Sequence, residues 1–409
     1  MSLRRAAIVG PIRTAVGKFG GALASIPAGE LGAVVIAALV ARTGIDPTRV
    51  DDVVFAQGYG NGEAPAIGRW SWLAAGLPID VPGYQLDRRC GSGLQAVINA
   101  AMMVQTGASD VVVAGGVESM SNVEHYTTQI RRGVKSGGLE LHDRLTRGRV
   151  MAQPVARFGI ITGMIETAEN CAKDWGITRE QCDAYAVRSH QRAAAAWRAG
   201  LFAGEVVPVP VPQRRGGPVL FDHDEGYRPD ASMETLGALA PIEAKTIPGA
   251  VVTAGNASQQ NDAAAACLVV SEDALKELRL EPIAWFHSWA AAGCEPSRMG
   301  IGPVPAVARL FRRTGLSWSD IDLVELNEAF APQVLAVLKG WGWSEDDSRN
   351  DILNVNGSGI SLGHPIGATG GRILANLTRE LQRRGGRYGL ETMCTSGGQG
   401  IAAIFERAV

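Results

Sequence analysis

The chain has 409 residues, 46% of them apolar, which suits two or three domains with sizeable cores. A formal net charge of -2 argues against a general nucleic-acid binder. Six cysteines without a CxxC pair fit a reducing cytosol better than a disulfide framework and give no zinc-site spacing.

In chain order, RRAAIVGPIRT (4–14) reads as an opening strand without the features of a secretory signal, so a cytoplasmic location is expected. The apolar run LGAVVIAALVA is too short to span a bilayer and reads as a buried helix. RTGIDPTRVDDVVFAQ (42–57) reads as a helix end, a turn and a buried strand. LDRRCGSGLQAV (86–97) places Cys90 directly before Gly-Ser-Gly, where Leu94, Val97 and Ile98 begin to recur at helical spacing. The partial positive charge of a helix start, with Arg88 and Arg89 alongside, favours a reactive thiolate there. A small apolar side chain packs equally well at such a place. SDVVVAGGVES (109–119) is a later strand that ends in a glycine-rich turn.

From about residue 120 to 250 the pattern changes. A basic stretch (Arg131, Arg132, Lys135, Arg144, Arg147, Arg149) precedes the helix TREQCDAYAVRSHQRAAAAW and the Pro-rich VVPVPVPQRRGGP. Thr178 is a plausible helix cap, with Glu180 and Gln181 in the first turn. The basic stretch suits phosphate binding, subunit contacts or simple solvation. Insertions of this length often cover functional sites.

The later chain repeats the earlier one. RTGLSWSDIDLVELNE (313–328) lies over residues 42–57, and EPIAWFHSWAA pairs with the opening strand. YGLETMCTSGG pairs with SDVVVAGGVES, and IAAIFER pairs with ACLVVSE. An ordered series of this kind points to a duplicated α/β unit. Four glycine-rich or polar stretches fall at strand ends, where open α/β sheets bind ligands: DRRCGSGLQAV, LNEAFAPQ, NVNGSGISLGHPIGATGGRI and TMCTSGGQGIAA. Singly each has a plain explanation. His364 can shape a turn before Pro, Asn327 and Glu328 can end a strand, and Cys394 can pack in the core. GSGLQA also fits the loose dinucleotide pattern, although arginines replace the apolar strand expected before it. If the halves pack about a pseudo-twofold axis, these ends converge. His364 can then activate Cys90, Asn327 can hold an oxyanion-stabilising water, and Cys394 can move a proton.

The set as a whole resembles the thiolase family. CGSGLQAV, AGGVESMS, AGNAS, NEAFA, NVNG…GHPIGATGGRI and the final C…GG.G stand in family order, and RTAVGKFGGALASIPAGELGAVVI is likewise thiolase-like. The resemblance implies an α/β thiolase fold: duplicated βαβαβαββ halves in a five-layer α-β-α-β-α arrangement with an inserted loop domain. Residues 1–120 plus 251–274 would form the first half and 275–409 the second. Residues 121–250 would be the insertion, for CoA binding and oligomer contacts. The implied reaction is the reversible conversion of a 3-ketoacyl-CoA plus CoA to acetyl-CoA and a shortened acyl-CoA, by a ping-pong route. Cys90 would be acylated, His364 would take its proton, and Cys394 would serve the α-carbon. Asn327 would fix a water in one oxyanion hole, and the backbone N–H groups of Cys90 and Ser396 would form the other. Ser258 matches a pantetheine contact, Met164 the acyl-pocket loop, and Arg228 a residue near the adenine.

The same resemblance implies CoA, acetyl-CoA and acyl-CoA as partners, with no permanently bound cofactor, no metal, no nucleic acid and no membrane. It implies a homodimer or homotetramer and a place in fatty acid metabolism. Three positions depart from the simplest acetoacetyl-CoA thiolases. Gly163 stands where a His is common, Ser396 where a glycine is common, and Trp70 with Trp72 where smaller or polar residues are usual. The glycine and the tryptophans are expected near the acyl pocket or dimer interface. Ketosynthases and hydroxymethylglutaryl-CoA synthases lack the second cysteine, and sterol-carrier-type thiolases lack NEAF. A nicotinamide oxidoreductase, a cysteine hydrolase or an acyl-CoA-binding scaffold leaves part of the set unexplained.

Overall fold

The computed structural model describes residues 3–344 and 346–409. Its first half contains strands β1 (Ala6–Thr14), β2 (Asp52–Ala56), β3 (Gly83–Leu86), β4 (Val111–Ser119) and β5 (Asn261–Ser271). The helices of this half are α1 (Ala28–Thr43), α2 (Ile67–Ala74) and α3 (Ser92–Thr106). The insertion carries α4 (Met164–Trp175) and α5 (Arg179–Arg198). The second half contains β6 (Ala284–Gly293), β7 (Leu323–Leu326), β8 (Tyr388–Thr395) and β9 (Gln399–Arg407). Its helices are α6 (Pro303–Thr314), α7 (Ala331–Gly340) and α8 (Ile366–Arg384).

The strand order β7-β8-β9-β6-β1-β5-β4-β2-β3 mirrors about its centre. Outward from the β6–β1 junction, β9 answers β5, β8 answers β4, and β7 answers β2. A parallel bridge from Val324 to Leu353 takes the place of β3. The expected duplication is therefore present, with the bridge standing where β3 has no strand counterpart. The two half-sheets are also hydrogen-bonded to each other, through Ala7–Trp285 and Ile8–Ala284.

Alternation along the strands sends successive side chains to opposite faces. Val54, Ala56, Val112 and Ala114 face inward with Leu323, Met393, Ala403 and Phe405 onto α3 and α8. Val53, Phe55 and Val113 face outward under α1 and α2, while Val324, Leu326, Leu390 and Ile404 face outward under α6 and α7. Helices thus cover both outer faces and fill the centre, giving the five layers. Strands buried on both faces explain the continuous apolar runs VVVAGG and AAAACLVV.

The central helices touch backbone to backbone. A Cβ on Gly370 would lie 2.0 Å from the Leu94 nitrogen, and one on Gly93 would lie 2.8 Å from the Gly367 oxygen. Both crossings occur in the first turns, so the segments entering α3 and α8 are brought together.

The insertion holds to both halves. Val206–Val207 pairs with Arg13 and Thr14 of β1, and the fully buried Arg13 binds Glu205 and Asp224, each at 2.7 Å. On the other half, Ala168, Cys171, Cys182 and Tyr185 of α4 and α5 join the outer core. Thr178 caps α5 as read: its side chain accepts from Gln181 N, and Gln181 Oε1 accepts from Thr178 N at 2.9 Å. Neither tryptophan reaches a ligand cavity. Trp72 is fully buried in the first half's outer core and donates to Pro78 O at 2.8 Å, while Trp70 lies flat against Gly29. Among the described residues, no helix is long and apolar enough to cross a membrane.

Candidate active site

Cys90 lies in a single 3-10 turn, Arg89–Gly91, that leads directly into α3. Arg89 holds a left-handed backbone at φ 47°, a conformation that costs a non-glycine residue about 1 kcal/mol and clusters at functional sites. Asp87 Oδ1 offsets this by accepting Arg89 N at 2.6 Å, and Arg89 Nη1 donates to Gly58 O at 2.7 Å. His364 enters from the segment before α8, its N–H donating to Asn261 Oδ1 at 2.8 Å. Cys394 is the next-to-last residue of β8, paired with Gly400 of β9, and Ser396 begins the turn into β9.

These segments meet at a cavity of ≈ 370 Å³ lined by Cys90, His364, Ser396, Ser258, Met164 and Gly163, among others. The relative exposures separate two groups. Cys90, His364 and Ser396 retain 6%, 6% and 8%, whereas Asn327 and Cys394 retain none and lie behind the wall. Asn327 Nδ2 is 3.4 and 3.5 Å from the two His364 ring nitrogens, and after burial Cys90 is the largest influence on the Cys394 thiol. Arg228 is not on the wall. Its guanidinium approaches Ala254 O, a lining residue, at 3.5 Å. Of the basic stretch, Arg149 lines the cavity, while Arg144 pairs with Glu124 at 3.1 Å. A larger cavity of ≈ 670 Å³ between α5 and α7 contains none of the predicted site residues. Among the described residues, no group of three or more His, Cys, Asp or Glu side chains is placed to hold a metal ion.

Four positioning residues were not singled out from sequence for these roles. Thr369 Oγ1 donates to Pro365 O at 3.0 Å and lies 2.7 Å from His364 Nδ1. With its one hydroxyl hydrogen assigned to Pro365 O, Thr369 accepts from Nδ1–H, an assignment of the tautomer from the hydrogen-bond network that leaves Nε2 unprotonated. Glu118 accepts from Gly58 N and Gly367 N, both at 2.9 Å, tying the first half's loop to the start of α8. Glu328 takes Tyr185 Oη at 2.9 Å, Ser189 Oγ at 2.6 Å and Ile360 N at 3.2 Å, anchoring α5 to the His364 segment. Asn354 Oδ1 accepts from Leu326 N at 2.9 Å and fixes the strand end that carries Asn327.

Burial overrides the helix-start effect on the nucleophile. It pushes the Cys90 thiol up to about 11, against the opposing pull of the Ser396 N–H, Arg89 and Cys90's own N–H. It pushes His364 down to about 3, with Arg372 acting in the same sense. Cys394 is also raised well above the ordinary thiol value by burial. Burial thus holds both the Cys90 thiol and the His364 imidazole toward their neutral forms. Alkylation of Cys90 by iodoacetamide, followed by peptide mass analysis, should therefore keep rising with pH to about 10. A plateau below pH 8 would show a preformed thiolate–imidazolium pair.

A description of the N-terminal domain of thiolase matches residues 6–273, and one of the C-terminal domain matches residues 280–407. The chain is 47% identical over 404 residues to an acetyl-CoA acetyltransferase of Chromobacterium violaceum, covering 98% of this chain and 99% of that protein. It is 42% identical over 408 residues to a beta-ketoadipyl-CoA thiolase of Acinetobacter baylyi, covering 99% and 100%. The crystal structure of the Bacillus anthracis acetyl-CoA acetyltransferase superposes with a TM-score of 0.93 at 39% identity, over all of both chains. Human mitochondrial 3-ketoacyl-CoA thiolase in complex with CoA gives 0.91 at 37%, over 100% of this chain and 99% of that one. The chain belongs to the thiolase family and is an acyltransferase.

Proposed function

We propose that the chain interconverts 3-ketoacyl-CoA plus CoA with acetyl-CoA plus a shortened acyl-CoA, through an acyl-Cys90 intermediate. One observation carries the assignment of roles. The Cys90 thiol, the His364 imidazole and the Ser396 turn open onto one cavity, with Cys394 and Asn327 buried directly behind it. In thiolysis, Cys90 Sγ attacks the 3-keto carbonyl as His364 Nε2 takes its proton. The Cα–C3 bond breaks, and Cys394 gives a proton to the carbon of the leaving acetyl-CoA. The thiol of free CoA then attacks acyl-Cys90 and releases the shortened thioester.

Oxygen charge develops at two places. The N–H groups of Ser396 and Cys90, which both lower the Cys90 thiol pKa against burial, serve the acyl oxygen. His364 and a water held by Asn327 serve the enolate. Each such donor contributes roughly 3 kcal/mol. Ser258, fixed by its N–H to Ala329 O at 2.9 Å, would hold the pantetheine, and Arg228 would stand near the adenine. The same reading treats 121–250 as a CoA-binding and oligomer-contact insertion between 1–120 plus 251–274 and 275–409. It makes the enzyme a cytoplasmic homodimer or homotetramer of fatty acid metabolism. The free cysteines of the described chain fit a reducing compartment.

Separating the two thiols tests the roles. Cys394→Ala should still take an acyl group on Cys90, seen as added mass on that peptide, yet lose exchange of acetyl-CoA methyl hydrogens with deuterated water. Normal exchange in that variant would assign the base elsewhere.

The acyl end has room. A Cβ on Gly163 would meet nothing within 4 Å, and neither Trp70 nor Trp72 fills the space. Each methylene buried there contributes about 0.8 kcal/mol. A 3-ketoacyl-CoA longer than acetoacetyl-CoA should be cleaved with at least equal kcat/KM, and Gly163→His should shift the optimum toward acetoacetyl-CoA. A wild-type optimum at acetoacetyl-CoA, unmoved by Gly163→His, would contradict the enlarged pocket.

A further inference from the structure

Two carboxylic acids lie side by side in the core, and the reaction derived above uses neither. In the parallel pair of β7 and β8, Glu325 stands opposite Glu391. Registered residues of neighbouring strands point to the same face, and alternation from Leu323 and Met393 sends both side chains inward under α8. Both are fully buried, and none of their four oxygens has a hydrogen-bond partner among the described residues. The cation that acts on both is Arg372 of α8. It is 1% exposed, its Nε is unpartnered among the described residues, and its Nη2 is 3.4 Å from Ser358 Oγ.

The other charges that reach this group are engaged elsewhere. Glu205 and Asp224 hold Arg13, each at 2.7 Å, and Glu380 holds Arg383 and Arg384 at 2.6 and 2.7 Å. Glu328 accepts from Tyr185, Ser189 and Ile360. Cys267 of β5, which also feels Glu391, is a thiol that burial keeps protonated. One guanidinium therefore faces two carboxyl groups. Ionised carboxylates on adjacent strands repel, and the second would be buried without a counter-charge. A single proton removes the conflict. The O–H of one acid then donates to the carboxylate of the other, and one negative charge remains opposite Arg372. Burial also pushes both acids well above the usual carboxylate range, and Glu325 adds to the effect on Glu391.

Arg372 connects this pair to the active site. It lies one helical turn beyond Thr369, which orients the His364 ring, and its charge opposes protonation of His364. We propose that Glu325 and Glu391 hold one proton between them, and that the negative charge left on the pair offsets Arg372 so that His364 can take the Cys90 proton. The proposal rests on the reading of His364 as the base in the thiolase reaction. Glu325 and Glu391 line no part of the Cys90 cavity, so they are positioning residues that act through Arg372.

Infrared difference spectra of the whole enzyme read the proton directly, because the C=O stretch of a carboxylic acid is separate from the bands of a carboxylate. Near pH 7 the wild type should show one acid band that Glu325→Gln and Glu391→Gln both lack, each variant keeping a lone carboxylate. Glu391→Met, which puts no polar group in its place, should give the same spectrum if the amide variant fails to fold. The double variant Glu325→Gln/Glu391→Gln should lose no further band. No band lost in either single variant, a band lost in only one, or a second band lost in the double variant overturns the shared proton. The burst of CoA released on mixing with acetyl-CoA tests the link to His364. Each single variant still carries one negative charge and should stay within about threefold of the wild-type rate. The double variant carries none and should be at least tenfold slower, and adding Arg372→Gln should recover part of the loss. A double variant no slower than the single ones overturns the role assigned through Arg372. A wild type that releases no CoA overturns the thiolase reading instead, while the spectra still decide the proton.

Discussion

At Gly370 a side-chain carbon would lie 2.0 Å from the backbone nitrogen of Leu94, so the two central helices can cross only where neither carries a side chain. The site depends on that crossing. Each helix belongs to a different half, and each is entered through a residue of the site: Cys90 before α3 and His364 before α8. Close approach of the first turns brings both to one cavity although 273 positions separate them in the chain. Glu118 reinforces the arrangement, since its carboxylate accepts from Gly58 and Tyr59 of the first half and from Gly367 of the second. The glycines of GHPIGATGG are therefore spacers between helices as much as turn formers.

The dense packing that creates this meeting also sets its electrostatics. Burial is the largest influence on Cys90, Cys394 and His364, and in each it favours the neutral form. Arg89 and the N–H groups of Ser396 and Cys90 are too weak to reverse it at Cys90. A neutral thiol beside an imidazole with a free Nε2 is nevertheless a workable resting state. The proton needs to move only when a thioester carbonyl is in place and N–H donors can receive the oxygen's charge. Thr369 is important here because it fixes which ring nitrogen is free.

Much of this was legible in the sequence. Doubly buried strands produce unbroken apolar runs, and a duplication leaves paired runs in order, so the two halves and their strand ends could be read directly. Cys90, His364, Asn327 and Cys394 stand in short motifs of unusual composition, which made them visible as a set. Supporting groups were less visible because their meaning is three-dimensional. Thr369 is an ordinary helix residue until its hydroxyl is seen 2.7 Å from His364, and Glu328 looks like a polar strand end until three elements converge on it. Trp70 and Trp72 do not line the Cys90 cavity, one of the two places expected for them. Their bulk suggested pocket lining, but an eight-residue helix turns them toward Gly29 and the outer core.

The central claim is that a base from the second half activates a thiol of the first. Its most direct measurement is the pre-steady-state release of CoA when enzyme is mixed with acetyl-CoA alone. The wild type should release up to one CoA per chain as Cys90 is acylated. His364→Ala, which leaves the thiol in place, should slow that burst by about 10²–10⁴-fold, the usual contribution of a positioned base. A burst of unchanged rate in His364→Ala would contradict the account.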